Sequence, residues 1–134
     1  MGTAANLAAT FNVCPPAKTP ATADTSLTAP TNTTTIFTGG ASGSRVDRIR
    51  ITQIASTAAA GIINFFRKHS GVYYLVASYA YGIVTLSTTS QAAPVDIDFD
   101  QGLPMANGDT LEDTVTTSAG QTAFVVQVMA GGDY

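Results

Sequence analysis

The chain has 134 residues, the length of one domain, and can bury a core without metal or disulfide staples. Charged residues make up 11% of it, far below the roughly 25% usual in soluble domains, with threonine, alanine, serine and glycine in their place. The net charge of −3 provides no field for a phosphate backbone, and no apolar run approaches the ~20 residues that span a bilayer, so neither nucleic acid nor membrane is an expected partner.

The first part of the chain is dominated by "CPPAKTPATADTSLTAPTNTTT", Cys14 to Thr35. Proline and β-branched threonine resist a helix, and nothing in the stretch alternates. An extended segment with so little core of its own is expected to order on a partner or a neighbouring copy, with Leu7, Phe11 and Val13 as anchors. The alternative is that it lies on its own domain. The N-terminus has neither the basic start nor the apolar stretch of a signal peptide, so cytoplasmic synthesis is expected.

From Gly39 onward the pattern is β. In "RVDRIRITQIAS", Ile49 and Ile51 alternate with Arg48, Arg50 and Thr52, while Val46 and Ile54 fall out of phase. Either a bulge intervenes there or both faces are partly covered. Gly61–Arg67 and Val72–Tyr79 read as a hairpin turning through Lys68-His69-Ser70-Gly71, with Gly71 free to take positive φ. Apolar residues occupy both faces of this hairpin, as in a central strand or an interface. A short strand is expected near Ile83–Ser87, then strands at Val95–Asp100, from Leu111 past Val115, and at Thr122–Met129. The turns between the later ones fall at Asn107-Gly108-Asp109 and Ser118-Ala119-Gly120. The pattern predicts an all-β fold. It is an antiparallel β-sandwich, jelly-roll or immunoglobulin-like, of about seven or eight strands, with residues 1–40 as an extended N-terminal arm and 41–134 as the sandwich.

The residue types that carry chemistry are few. "VDIDFDQGLP" sets Asp96, Asp98 and Asp100 at every second position. Counted as an EF-hand from Asp96, the loop would need glycine at Gln101 and glutamate at Asn107, so both defining positions fail. The alternation with Val95, Ile97 and Phe99 is that of a strand with an acidic face: a guarded edge, or a patch that meets a basic one. Arg45, Arg48 and Arg50 are the basic counterpart, and their forked guanidinium groups suit carboxylates, either within one sheet or between subunits. His69, the sole histidine, is expected to face solvent from a turn, and no G-x-S-x-G elbow accompanies it. "TGGASGSR" lacks the ending of a phosphate loop. Cys14 is the only cysteine, which excludes an intramolecular disulfide and a Cys/His zinc pattern. Four tyrosines within Tyr73–Tyr81, Tyr73 and Tyr79 among them, are candidates for a protein or carbohydrate contact. These residues suggest no cofactor and no enzyme.

The segments "GSRVDRIRITQIASTAAAGIINFF", "LPMANGDTLEDTV" and the final "AFVVQVMAGGDY" together resemble a group of small proteins encoded among the structural genes of tailed bacteriophages. The resemblance runs from Gly43 to Tyr134. It implies a virion component, a head decoration (cement) protein or another small head or tail protein, with no active site. It further implies the major capsid protein and copies of the chain itself, as trimers, as partners, and the capsid exterior as its location after synthesis in the host cytoplasm. Alternatives are a receptor- or glycan-binding module of a tail fibre or head spike, and a tail-tube or head-completion protein. Leu7, Phe11, Val13, Arg48, Arg50, Tyr73, Tyr79, Asp96, Asp98 and Asp100 are the candidate interface residues.

Overall fold

A computed structural model describes residues 15–134. Leu7, Phe11, Val13 and Cys14 lie outside the described residues. Among the described residues, eight strands form two four-stranded antiparallel sheets: β1 (Ala17–Lys18), β2 (Thr34–Thr38), β3 (Ser44–Gln53), β4 (Gly61–His69), β5 (Val72–Tyr81), β6 (Val95–Met105), β7 (Thr110–Val115) and β8 (Phe124–Asp133). One sheet has the order β1-β8-β3-β6 and the other β2-β7-β4-β5. The first strand therefore pairs with the last, the second with the seventh, the third with the sixth and the fourth with the fifth. That nesting is the jelly roll, and it decides between the two sandwich topologies left open by the strand pattern.

The core lies between the sheets. Ile49, Ile51, Ile63, Phe65, Leu111, Val115, Phe124 and Val126 are all buried there, contributed by alternate positions of central strands from both sheets. Tyr81 closes one end of it, its ring tilted against Phe124 at 5.0 Å and its hydroxyl 2.7 Å from that of Thr117. The phase break expected around Val46 is a bulge: the pairing of β3 with β6 steps from Val46↔Leu103 to Arg48↔Asp98. Gly131, at φ +134, occupies the same bulged region of β8, and a Cβ there would come within 2.2 Å of the Arg45 carbonyl oxygen.

The β4–β5 hairpin falls where the pattern places it, but its loop is narrower. His69 pairs with Val72, and only Ser70 (φ 49) and Gly71 (φ 79) turn the chain. Positive φ at both central residues is the type I′ turn, whose twist matches that of the flanking strands. Ile83–Ser87, expected as a strand, makes only isolated bridges, Thr57↔Val84 and Ser87↔Ser90. Its apolar residues have no continuous neighbour to pair with, and Ile83 is 70% exposed.

The largest correction concerns residues 15–40. They do not stand apart as an arm awaiting a partner, and residue 40 is not a boundary: β1 extends one sheet beside β8, β2 extends the other beside β7, and Ile36 and Phe37 enter the common core. The physical reason is that polar side chains fix the backbone where apolar ones are missing. Buried Thr19 donates its hydroxyl to the Gly120 carbonyl (2.8 Å), while its N–H donates to Phe124 O (2.8 Å). Asp24 accepts the N–H groups of Ser26 (3.0 Å), Thr31 (2.7 Å) and Asn32 (3.1 Å), and its own N–H donates to Val115 O (2.8 Å). The N–H bonds from Ser26 and Thr31 hold the Asp24 carboxyl below its ordinary pKa. Asp24→Ala is expected to cost about 1–2 kcal/mol in urea unfolding and to speed hydrogen exchange through 24–32, leaving β4 and β7 protected.

Candidate interaction surface

Two groups of charged side chains and one strand flank are the features from which a function can be built. The first group lies on the β3–β6 ladder. Register sets Arg48 opposite Asp98 and Arg50 opposite Asp96. Arg48 Nε donates to Asp98 Oδ1 at 2.5 Å, and Arg50 grips Asp96 with two bonds, Nε–Oδ1 at 2.7 Å and Nη2–Oδ2 at 3.0 Å. The acidic row thus meets its basic counterpart within one sheet of one chain. Hydrogen bonding to Arg50 lowers the Asp96 pKa, and the same bond raises that of Arg50. The side chains remain accessible, so the pairs fix register more than they add stability. Asp100 is separated from the row. It falls inside the β6 bulge, where Gln101 (φ 62) and Gly102 (φ 84) turn the backbone, and it borders a hollow lined also by Arg45 and Tyr134. Arg45 itself reaches Asp47 at 2.8 Å. Among the described residues, no cluster of three or more His, Cys, Asp or Glu side chains is placed to hold a metal ion.

The second group was not legible as a unit in the sequence. Asp109, at the end of the turn into β7, is buried and gathers donors from two other segments. Arg67 Nη2 and Nε reach Oδ2 at 2.6 and 2.9 Å, the Ala106 N–H reaches the same oxygen at 2.9 Å, and His69 Nδ1 lies 2.6 Å from Oδ1. Burial pushes the Asp109 pKa upward, but the hydrogen bonds from His69, Ala106 and Arg67 outweigh it and bring it down to about 2. His69 is exposed, as expected, but it ends β4 instead of lying in the turn, and its ring is held by this carboxylate. Its spacing from Arg67 was the available signal: residues two apart on a strand share a face. Arg67 and His69 also line, with Tyr74, Val76 and Leu103, a hollow of about 280 Å³ between the two sheets.

The structure divides the tyrosines. Tyr81 is buried, and Tyr79 packs partly against the core. Tyr73 stands edge-on to Phe66 (5.9 Å, 86°), under Lys68 Nζ at 5.0 Å and within 3.4 Å of Glu112 Oε1. Tyr74 alone of the four is largely exposed, at 53%. It belongs to the third feature, the β5–β6 flank, where the core meets the surface. Val76, Ala77 and Tyr79 on β5, with Ile97, Phe99 and Leu103 on β6, are the partly buried apolar residues that pack against the core. Comparison with known proteins finds no matching family model, no similar curated protein and no similar solved structure.

Proposed function

We propose that the chain is a structural component of a tailed-phage particle that decorates and cements the capsid by bridging capsomers. The observation that carries this reading is the internal consumption of an already small set of charges. Four of the six basic side chains, Arg45, Arg48, Arg50 and Arg67, are ion-paired within the chain. Asp24 is spent on holding a loop, and Glu112 and Asp113 are buried. The exterior left over is sparsely charged and rich in threonine, serine and alanine, with apolar residues among them. Soluble domains usually cover about a quarter of their sequence with charged side chains, whereas a surface this poor in them suits permanent contact with neighbours. The jelly roll supports the reading, because viral shells and their accessories recur on it, although lectin domains use it too. The resemblance of Gly43–Tyr134 to small phage structural proteins supports it from a separate direction.

On this reading the partners are the major capsid protein and further copies of the chain, no reaction is catalysed, and the site of action is the outside of the shell. Full-length protein mixed with cognate capsids lacking it is expected to co-sediment at hundreds of copies per particle. Protein that stays in the supernatant would refute decoration. Removal of residues 1–14 is the compatible truncation, because a deletion reaching Thr35 would strip β1 and part of β2 from the sheets. A second reading, a glycan- or receptor-binding module, is favoured by exposed Tyr74 beside the Arg67–His69 hollow. Binding on a glycan array that is lost in Tyr74→Ala would replace the first reading with this one. A ring of copies at the tail or portal would indicate a tail-tube or head-completion protein.

A further inference from the structure

The two sheets present four edges, and three of them are blunted. β1 is two residues long. β2 has five residues and a register shift between Thr35 and Phe37. β6 carries Asp96, Asp98 and Asp100, a proline at Pro104, and the positive-φ break at Gln101–Gly102. Charge, proline, shortness and irregularity are the devices that keep an edge from pairing with another chain. β5 lacks most of them. It is ten residues long, contains no proline, and the sequence has no Asp, Glu, Lys or Arg between Lys68 and Asp96. Among the described residues it pairs only with β4, and Val72, Tyr74 and Leu75 on it are exposed. One bulge, where the pairing steps from Phe65↔Ala77 to Phe66↔Leu75, divides it and leaves Ala77–Tyr81 as a regular run.

We infer that β5 is a self-association edge, and that Ala77–Tyr81 pairs antiparallel with the same run of a second copy across a two-fold axis at Tyr79. The choice of occupant rests on charge. At a two-fold axis each residue meets its own kind or a near neighbour, so any charge on the strand would face its like, and this strand and the loop after it carry none. The size pattern fits the same axis. Ser78 comes opposite Ala80 of the second copy, two small side chains that let the backbones close to about 4.8 Å. Ile83, the most exposed large apolar residue among the described ones, comes alongside Leu75 of the second copy, which is also exposed. The pairing joins two four-stranded sheets into one of eight strands. It also covers the flank on which Val76, Tyr79, Phe99 and Leu103 remain partly open.

This inference deepens the structural reading by naming the contact between copies, and it is tested on free protein with no capsid present. A failed self-association and a failed capsid binding are therefore separate results. Sedimentation velocity of the full chain over about a hundredfold range of concentration is expected to show a dimer that dissociates reversibly on dilution. Hydrogen exchange is expected to show Ala77–Tyr81 amides gaining protection as the dimer forms. Ala80→Lys, at an exposed position, sets a long ammonium side chain against the small Ser78 of the second copy on both sides of the axis and is expected to weaken the dimer at least tenfold, about 1.4 kcal/mol or more of lost association energy. Ile83→Asp, outside any strand and 70% exposed, leaves the strand ladders untouched and is expected to weaken it as well. A monomer at every concentration, a three-fold mass, or a dimer indifferent to both changes would overturn the assignment. So would loss of association on removal of residues 1–14 alone.

Discussion

Asp109→Ala is expected to be among the most damaging single changes in the chain, lowering unfolding free energy by about 3 kcal/mol in chemical denaturation at neutral pH. The carboxylate is buried and has four hydrogen-bond contacts. Its removal leaves the Arg67 guanidinium and the Ala106 N–H without the acceptor around which both are placed. The loss also separates segments distant in sequence, since Arg67 and His69 end β4 while the turn at Ala106–Asp109 is closed through Gly39, whose N–H donates to Asp109 O at 2.7 Å. Asp109→Asn keeps the shape and one acceptor oxygen, so it is expected to fall between the two. The pH dependence has a definite sign. The Asp109 pKa is depressed in the folded chain from the ordinary 3.8 to about 2, so its contribution is complete above the ordinary value and is lost as pH falls through about 2. That contribution amounts to about 2 kcal/mol for a shift of this size. Acid unfolding of Asp109→Ala, compared with the native chain from pH 6 to 2, is expected to be flatter by that amount. Parallel curves would show that the cluster does not carry the acid sensitivity.

How much of this was legible in the residues depends on whether the determining contact is local. The alternation of Ile49 and Ile51 with Arg48 and Arg50, and of Ile97 and Phe99 with the aspartates, located β3 and β6 and suggested that the two charged rows could meet. The structure pairs Arg48 with Asp98 and Arg50 with Asp96 because register follows the buried face. The hairpin was legible for a similar reason: its turn lies between its own strands. β1 and β2 were not. Two residues and five residues, one interrupted by a bulge, are too short for a period, and they become strands only because β8 and β7 lie beside them about a hundred residues later in one case and some seventy in the other. Ile36 and Phe37, an apolar pair in a polar stretch, were the one local sign that this segment has a core position. The Arg67–His69–Asp109 cluster was hidden because Asn107-Gly108-Asp109 is sufficient as a turn signal, and nothing in it shows which way Asp109 points.

The opposite case is Asp113, and Asp113→Asn is expected to stabilise the protein at neutral pH. "LEDTV" reads as a mixed strand, yet Asp113 pairs in register with Phe65 and sits between Leu111 and Val115 on the core side of β7. Its side chain is fully buried and neither carboxyl oxygen has a hydrogen-bond partner. Burial pushes its pKa well above the ordinary value, outweighing the backbone N–H groups of Asp113 and Thr34, which lower it, while nearby Glu112 raises it further. The sign is the reverse of that at Asp109. Below pH 3.8 both folded and unfolded chains hold the proton and Asp113 costs nothing through ionisation. Above it the unfolded chain releases the proton while the folded chain keeps it, so stability falls as pH rises, by about 1.4 kcal/mol per unit until the folded pKa is reached. Asparagine fills the same volume with no proton to lose. The variant and the native chain are expected to have similar stability near pH 4 and to diverge progressively by pH 7, which urea titrations at each pH will measure. With Asp109 failing in acid and Asp113 costing more as pH rises, the native optimum is expected to be mildly acidic, and Asp113→Asn should move it upward. A variant less stable than the native chain at pH 7 would mean that the Asp113 carboxylate is charged and partnered in the folded state.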